Sequence, residues 1–115
     1  MAINRRRRVA VVGLITVGLI GAPPAMAVSA QLGKVSLASS SGTWVYNKDL
    51  ADDGQFTATR YVANGTSGES TLTNKSGANA TVSLNAGGTV TSVRACVSRT
   101  LQPMYCTRSN TDEKY

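Results

Sequence analysis

Ala80, Val82 and Leu84 alternate with Asn79, Thr81, Ser83 and Asn85. A period of two places the apolar set on one face of an extended strand and the polar set on the other. The same rhythm recurs along the chain. Thr43 to Tyr46, Gln55 to Ala63, Glu69 to Asn74, Asn79 to Asn85, Thr89 to Ser98 and Met104 to Arg108 are all rich in strand-forming residues. Asn64-Gly65, Ser67-Gly68, Ser76-Gly77 and Gly87-Gly88 separate them. Such dipeptides punctuate strands because glycine and asparagine accept backbone conformations that other residues resist. No stretch after residue 42 repeats apolar residues at helical spacing. Six strands with these turns predict an all-β fold, a small antiparallel β-sandwich that is either immunoglobulin-like or an open barrel. The antiparallel meander Gln55 to Arg108 forms its main part. In Thr89 to Ser98, Val93, Ala95 and Val97 share one face, and Ser92, Arg94 and Cys96 share the other. The expected core is Trp44, Phe56, Leu72, Val82, Leu84, Val93 and Val97.

The N-terminus reads differently. Arg5 to Arg8 precede an apolar run from Val9 to Gly21, interrupted by a single hydroxyl residue, Thr16. Pro23 and Pro24 follow, then Ala25-Met26-Ala27. A positive start, a short apolar run and a small-x-small triplet are the pattern of a secretory signal peptide. The run falls short of the roughly 20 residues a bilayer span needs. The chain therefore divides into a signal over 1–27, a flexible lead-in or edge strand over 28–41, a β-domain over 42–108 and a polar tail over 109–115. A cut after Ala30 is the alternative to one after Ala27. The mature chain is expected to be secreted, with no membrane span.

Removing residues 1–27 from a chain of 115 leaves 88, one domain whose hydrophobic core alone is marginal. The net charge of +6 shrinks too, because four of the 12 basic residues lie in the signal. The eight that remain oppose six acidic residues and are scattered. A nucleic-acid partner needs clustered basic residues, so none is expected. The two cysteines, Cys96 and Cys106, both lie in the exported part. An even count in an oxidising compartment predicts one disulfide.

The chain has no histidine. It therefore lacks the commonest general base near neutral pH and cannot build a Ser-His-Asp hydrolase. Asp49, Asp52 and Asp53 precede Gly54, but their spacing is not that of a regular calcium loop, and they read as a solvated acidic turn. The triplets Asn64-Gly65-Thr66, Asn74-Lys75-Ser76 and Asn79-Ala80-Thr81 match the glycosylation sequon. In a chain this rich in Asn, Ser and Thr they are expected by chance. No catalytic residues, cofactor or metal are predicted.

The best candidate site is the segment between the cysteines. Cys96 and Cys106 are expected to face each other on neighbouring strands. Their bridge would pin both ends of the loop 97–105 and so reduce the ordering cost of binding. The loop carries Arg99, Leu101, Met104 and Tyr105, side chains able to fill pockets on a partner. The plain alternative is a hairpin stapled for stability. Trp44, Tyr46, Phe56 and Tyr61 offer a second possibility, since exposed aromatic planes stack on sugars.

Val90-Thr91-Ser92-Val93-Arg94-Ala95-Cys96, followed by Cys106 near the C-terminus, resembles the ending of small secreted actinobacterial β-rich proteins with a C-terminal Cys…Cys pair. The resemblance implies a one-disulfide sandwich in a Gram-positive extracellular setting. Ser41-Gly42-Thr43-Trp44-Val45-Tyr46 is similar to the mature start of lactococcin-972-like bacteriocins, whose histidine-containing motifs are absent here. The expected function is non-enzymatic binding of an extracellular protein or cell-envelope component through 97–105. The alternatives are a bacteriocin-like toxic peptide and a structural cell-surface protein.

Overall fold

The structure is a computed structural model and describes residues 26–115. The predicted signal lies outside the described residues except for Met26 and Ala27. Nine strands follow: β1 (Ser29–Leu32), β2 (Ser36–Ser41), β3 (Trp44–Asp49), β4 (Thr57–Ala63), β5 (Ser70–Asn74), β6 (Thr81–Asn85), β7 (Val90–Arg99), β8 (Gln102–Cys106) and β9 (Asp112–Glu113). They form two sheets, ordered β6-β3-β2-β1-β9 and β5-β4-β7-β8. The molecule is thus all-β, a sandwich rather than a barrel. Among the described residues no helix is long and apolar enough to cross a membrane.

Three features differ from the sequence reading. Residues 28–41 supply β1 and β2, and β2 sits in the middle of its sheet. The meander is broken after β5, because β6 crosses to pair with β3 and β7 returns beside β4. The polar tail contains β9, which runs parallel to β1. Gly88 shows how tight the return from β6 is. A Cβ there would collide with the Asn64 carbonyl oxygen, so only glycine fits.

The core is built from small residues. Ala30, Leu32, Ala38, Val45, Tyr61, Ala63, Val90, Val93, Ala95 and Val97 form one buried cluster. The four valines contribute about 1.5–3 kcal/mol each by burial. Val93 and Val97 lie where the alternation puts them. Leu72 packs against the cluster only partly, and Val82 is half-buried. Trp44 and Leu84 do not belong to it, being 44% and 41% exposed. The reason is register. Val45, Asn47 and Asp49 point inward from β3, which turns Trp44, Tyr46 and Lys48 outward. Leu84 lies opposite Val45 on β6, the outermost strand of its sheet, where no neighbouring strand covers it.

Asn47 is fully buried between the sheets and bonds both. Its Nδ2 donates to Ser36 Oγ at 3.2 Å and to Thr59 Oγ1 at 3.1 Å. Its Oδ1 accepts from Thr57 Oγ1 at 2.7 Å. Thr59 in turn donates to the Tyr46 carbonyl at 2.8 Å. Asn74 extends the network, donating to the carbonyls of Asn47 and Ala80 at 3.2 and 2.8 Å. Every polar arm of the Asn47 side chain therefore has a partner, which removes most of the cost of burying it.

The C-terminal segment closes on itself. Glu113 Oε2 accepts from the Arg108 amide at 2.6 Å, from Arg108 Nε at 3.1 Å and from Thr111 Oγ1 at 3.1 Å. The Arg108 amide, aided by its guanidinium, holds the Glu113 carboxyl below the usual glutamate range.

Two outcomes follow from these contacts. Asn47→Leu strands the Thr57 hydroxyl and empties the network, and urea unfolding of the oxidised protein should show a loss of about 2–4 kcal/mol. Ser83→Ala, on the outer face, should stay within about 0.5 kcal/mol. The Glu113 clamp is fully present above the ordinary glutamate range and is lost as pH falls through the lowered folded value. The protection factor of the Arg108 amide, its exchange relative to that of a free chain at the same pH, should therefore fall in acid, with a midpoint below that of a free glutamate.

Candidate functional site

The segment between the cysteines is a hairpin, not an open loop. β7 and β8 pair antiparallel, with Cys96 opposite Cys106, Val97 opposite Tyr105 and Arg99 opposite Gln102. The disulfide joins Cys96 and Cys106 across the pair, with Cα atoms 4.1 Å apart. Cys96 is buried. Between the two register points, β8 holds one residue more than β7. Pro103 lies in that irregular stretch on the outermost strand of its sheet, where a missing N–H breaks no ladder.

The four predicted binding residues have unequal environments. Arg99 is engaged within the hairpin: its Nε donates to the Pro103 carbonyl at 3.0 Å, and its guanidinium lies 5.6 Å from the Tyr105 ring centre. Tyr105 packs against the core and lies 5.5 Å from the Tyr115 ring. Met104 is half-buried. Leu101 alone is free, 99% exposed at the turn. Its φ is +58°, a left-handed conformation that costs a branched aliphatic residue about 1–2 kcal/mol. The structure thus brings Arg99 and Tyr105 together as a support and leaves Leu101 apart at the tip.

A second feature lies at the polar end of the sandwich. An open pocket of about 450 Å³ is lined by Asp49, Asp52, Asp53, Phe56, Asn74 and Lys75, among others. Asp49 is only 2% exposed, so the acidic turn is not wholly solvated. Its Oδ1 accepts from the Ala51 amide at 3.1 Å, and Asp53 Oδ1 accepts from the Gln55 amide at 3.0 Å. These carboxylates shape the loop. Among the described residues, no three of His, Cys, Asp and Glu gather as metal ligands would. Phe56 lies here rather than in the core, with Lys75 Nζ 5.1 Å from its ring centre. Asn74 is fully buried and bonded at both ends of its amide, which closes that sequon to a glycosyltransferase.

The outer face of the five-stranded sheet carries a feature that the sequence reading dispersed. Trp44 lies between Asn85 on β6 and Ser41 on β2. Tyr46 lies between Ser83 and Ser39. The signal was the two-residue spacing of Trp44 and Tyr46, with Val45 and Asn47 pointing the other way. Of the two aromatics that the sequence groups with them, Tyr61 is 8% exposed in the core and Phe56 is in the pocket. The opposite outer face is charged: Glu69 pairs with Arg60 at 3.2 Å and with Arg94 at 3.1 Å.

The chain matches no protein-family model, no curated protein and no solved structure.

Reducing the disulfide opens a loop of about 11 residues and should lower stability by about 2.5–3 kcal/mol. Paired urea titrations with and without reductant measure this directly.

Proposed function

We propose that this protein is a secreted, non-enzymatic domain that binds an extracellular protein or cell-envelope component through the tip of the 96–106 hairpin. The observation that carries the reading is Leu101. A fully exposed leucine held at positive φ contributes nothing to the core and strains the backbone. Local strain of this kind tends to concentrate where a surface is used. The staple beneath it, with Arg99 and Tyr105 as struts, fixes the tip before any partner arrives and so lowers the ordering cost of binding.

Secretion is supported by the leader pattern and by a disulfide, which persists in oxidising compartments. The first strand favours the cut after Ala27. Cutting there leaves β1 whole, whereas cutting after Ala30 removes Ser29 and the buried Ala30. The non-enzymatic reading rests on the lack of histidine and on the bonds that occupy the acidic loop.

The test pairs capture with stability. Immobilised oxidised protein should retain a partner from culture supernatant or solubilised envelope, and the Leu101→Gly variant should lose it. The same variant should melt no lower than the parent, because glycine relieves the positive φ; a gain of up to about 1 kcal/mol is expected. Equal retention by both proteins would reject the hairpin as the binding element.

A further inference from the structure

We infer that the outer face of the five-stranded sheet is a binding platform for an extended, uncharged, β-linked polysaccharide. The site is separate from the hairpin tip, which belongs to the other sheet.

Trp44 and Tyr46 stand two residues apart on β3 and point to the same side. In a strand this spacing is about 6.5–7 Å. The two rings thus form a stripe along the strand. Each ring is flanked on both neighbouring strands by a short hydrogen-bonding side chain. Asn85 and Ser41 lie beside Trp44, and Ser83 and Ser39 lie beside Tyr46. Neighbouring strands lie about 4.7–4.9 Å apart, so a ring stacked on either aromatic falls within reach of polar groups on both sides.

Those groups are unspent. Among the described residues, Ser39, Ser41 and Ser83 make no side-chain hydrogen bond within the protein, and neither do the Trp44 indole and the Tyr46 hydroxyl. Asn85 uses its Oδ1 on the Gly87 amide at 2.9 Å. A face that offers aromatic planes and free hydroxyl and amide groups asks for a ligand with flat C–H surfaces and many hydroxyls. Sugars are that chemistry, and β-linked chains present it as a ribbon that a sheet can follow.

Charge narrows the class. The two rows that carry the rings contain no charged residue, and Lys48 enters only in the next row, between Thr81 and Leu37. A polyanion would find a single lysine here, and the paired arginines lie on the opposite outer face. Trp44 is 44% exposed, a large apolar area to leave wet on a face otherwise lined by hydroxyls.

Trp44 is the single tryptophan of the chain, so its emission reports on this face alone. The oxidised protein is titrated with cellohexaose and with chitohexaose, and its retention on cellulose and on chitin is measured. Saturable change in Trp44 emission with at least one oligosaccharide is expected, together with retention on the matching polymer that is indifferent to salt. Trp44→Ala should lower retention about tenfold without lowering the melting temperature. Trp44→Tyr should keep most of it, because the ring plane remains. Leu101→Gly should bind sugar as the parent does, which separates this site from the hairpin. Unchanged emission and no retention on either polymer would overturn the proposal. So would full retention by Trp44→Ala, or a dimer in sedimentation that Trp44→Ala dissolves, since the face would then serve a second copy of the chain.

Discussion

Asn47 donates and accepts hydrogen bonds across the gap between the two sheets, which is therefore close enough there for amide and hydroxyl side chains to meet. The cluster around it is alanine and valine, with Leu32 and Tyr61 as its largest members. Small residues let the sheets approach until hydroxyl and amide side chains can reach each other. Tyr61 is the one aromatic in the cluster. The chain orients β3 so that an asparagine faces inward and the only tryptophan faces out. A buried amide with every arm satisfied also fixes alignment, because a shift of one strand by one residue would leave its polar atoms stranded. The outward aromatic stripe is thus a consequence of how the interior closes.

The readable parts of the fold were those where a single period governs. Val93, Ala95 and Val97 alternate with polar partners and are buried as expected. The cysteine pair was legible because two thiols so close in sequence leave an antiparallel pair as the simplest geometry. The first sheet was harder. Ser36, Ala38 and Ser40 are its inward residues on β2, and serine gives no apolar signal. Asn47-Lys48-Asp49 has the composition of a turn, yet it ends a strand and holds the interior together. Trp44 reads equally as a core residue and as an exposed ring. Period two left Val45 and Trp44 as equal candidates for the inner face, and only pairing with β2 and β6 decides between them.

The candidate site shows a similar division. Residue type pointed to Arg99, Leu101, Met104 and Tyr105 as a group, and the backbone then sorted them. Tyr105 lies opposite Val97 and is drawn toward the core; Arg99 folds over it. What remains exposed is one leucine at the tip of the stapled hairpin. The turn conformation that singles it out is a property of φ, and no sequence pattern announces a leucine where glycine or asparagine is usual. The outer-face stripe was legible only as its two rings, Trp44 and Tyr46, and not as the polar rows beside them. Its flanking serines and asparagine come from β2 and β6, which are distant in the chain and adjacent only after pairing.

The first residues of the domain carry an implication for its manufacture. The Met26 carbonyl accepts from the Gly42 amide at 2.7 Å, and Val28 exchanges backbone and hydroxyl contacts with Ser40. If the chain is exported as proposed, the peptidase that reads Ala25-Met26-Ala27 would need that stretch extended and unbonded in its own cleft. Once β1 and β2 have paired, the Ala27–Val28 bond is held between the anchored Met26 and Val28. On the secreted reading proposed above, a cut after Ala27 would have to precede closure of the sheet, while the chain is still extended. That reading would set an order for maturation: severance first, strand pairing second, and oxidation of the thiols only when the hairpin has brought them face to face.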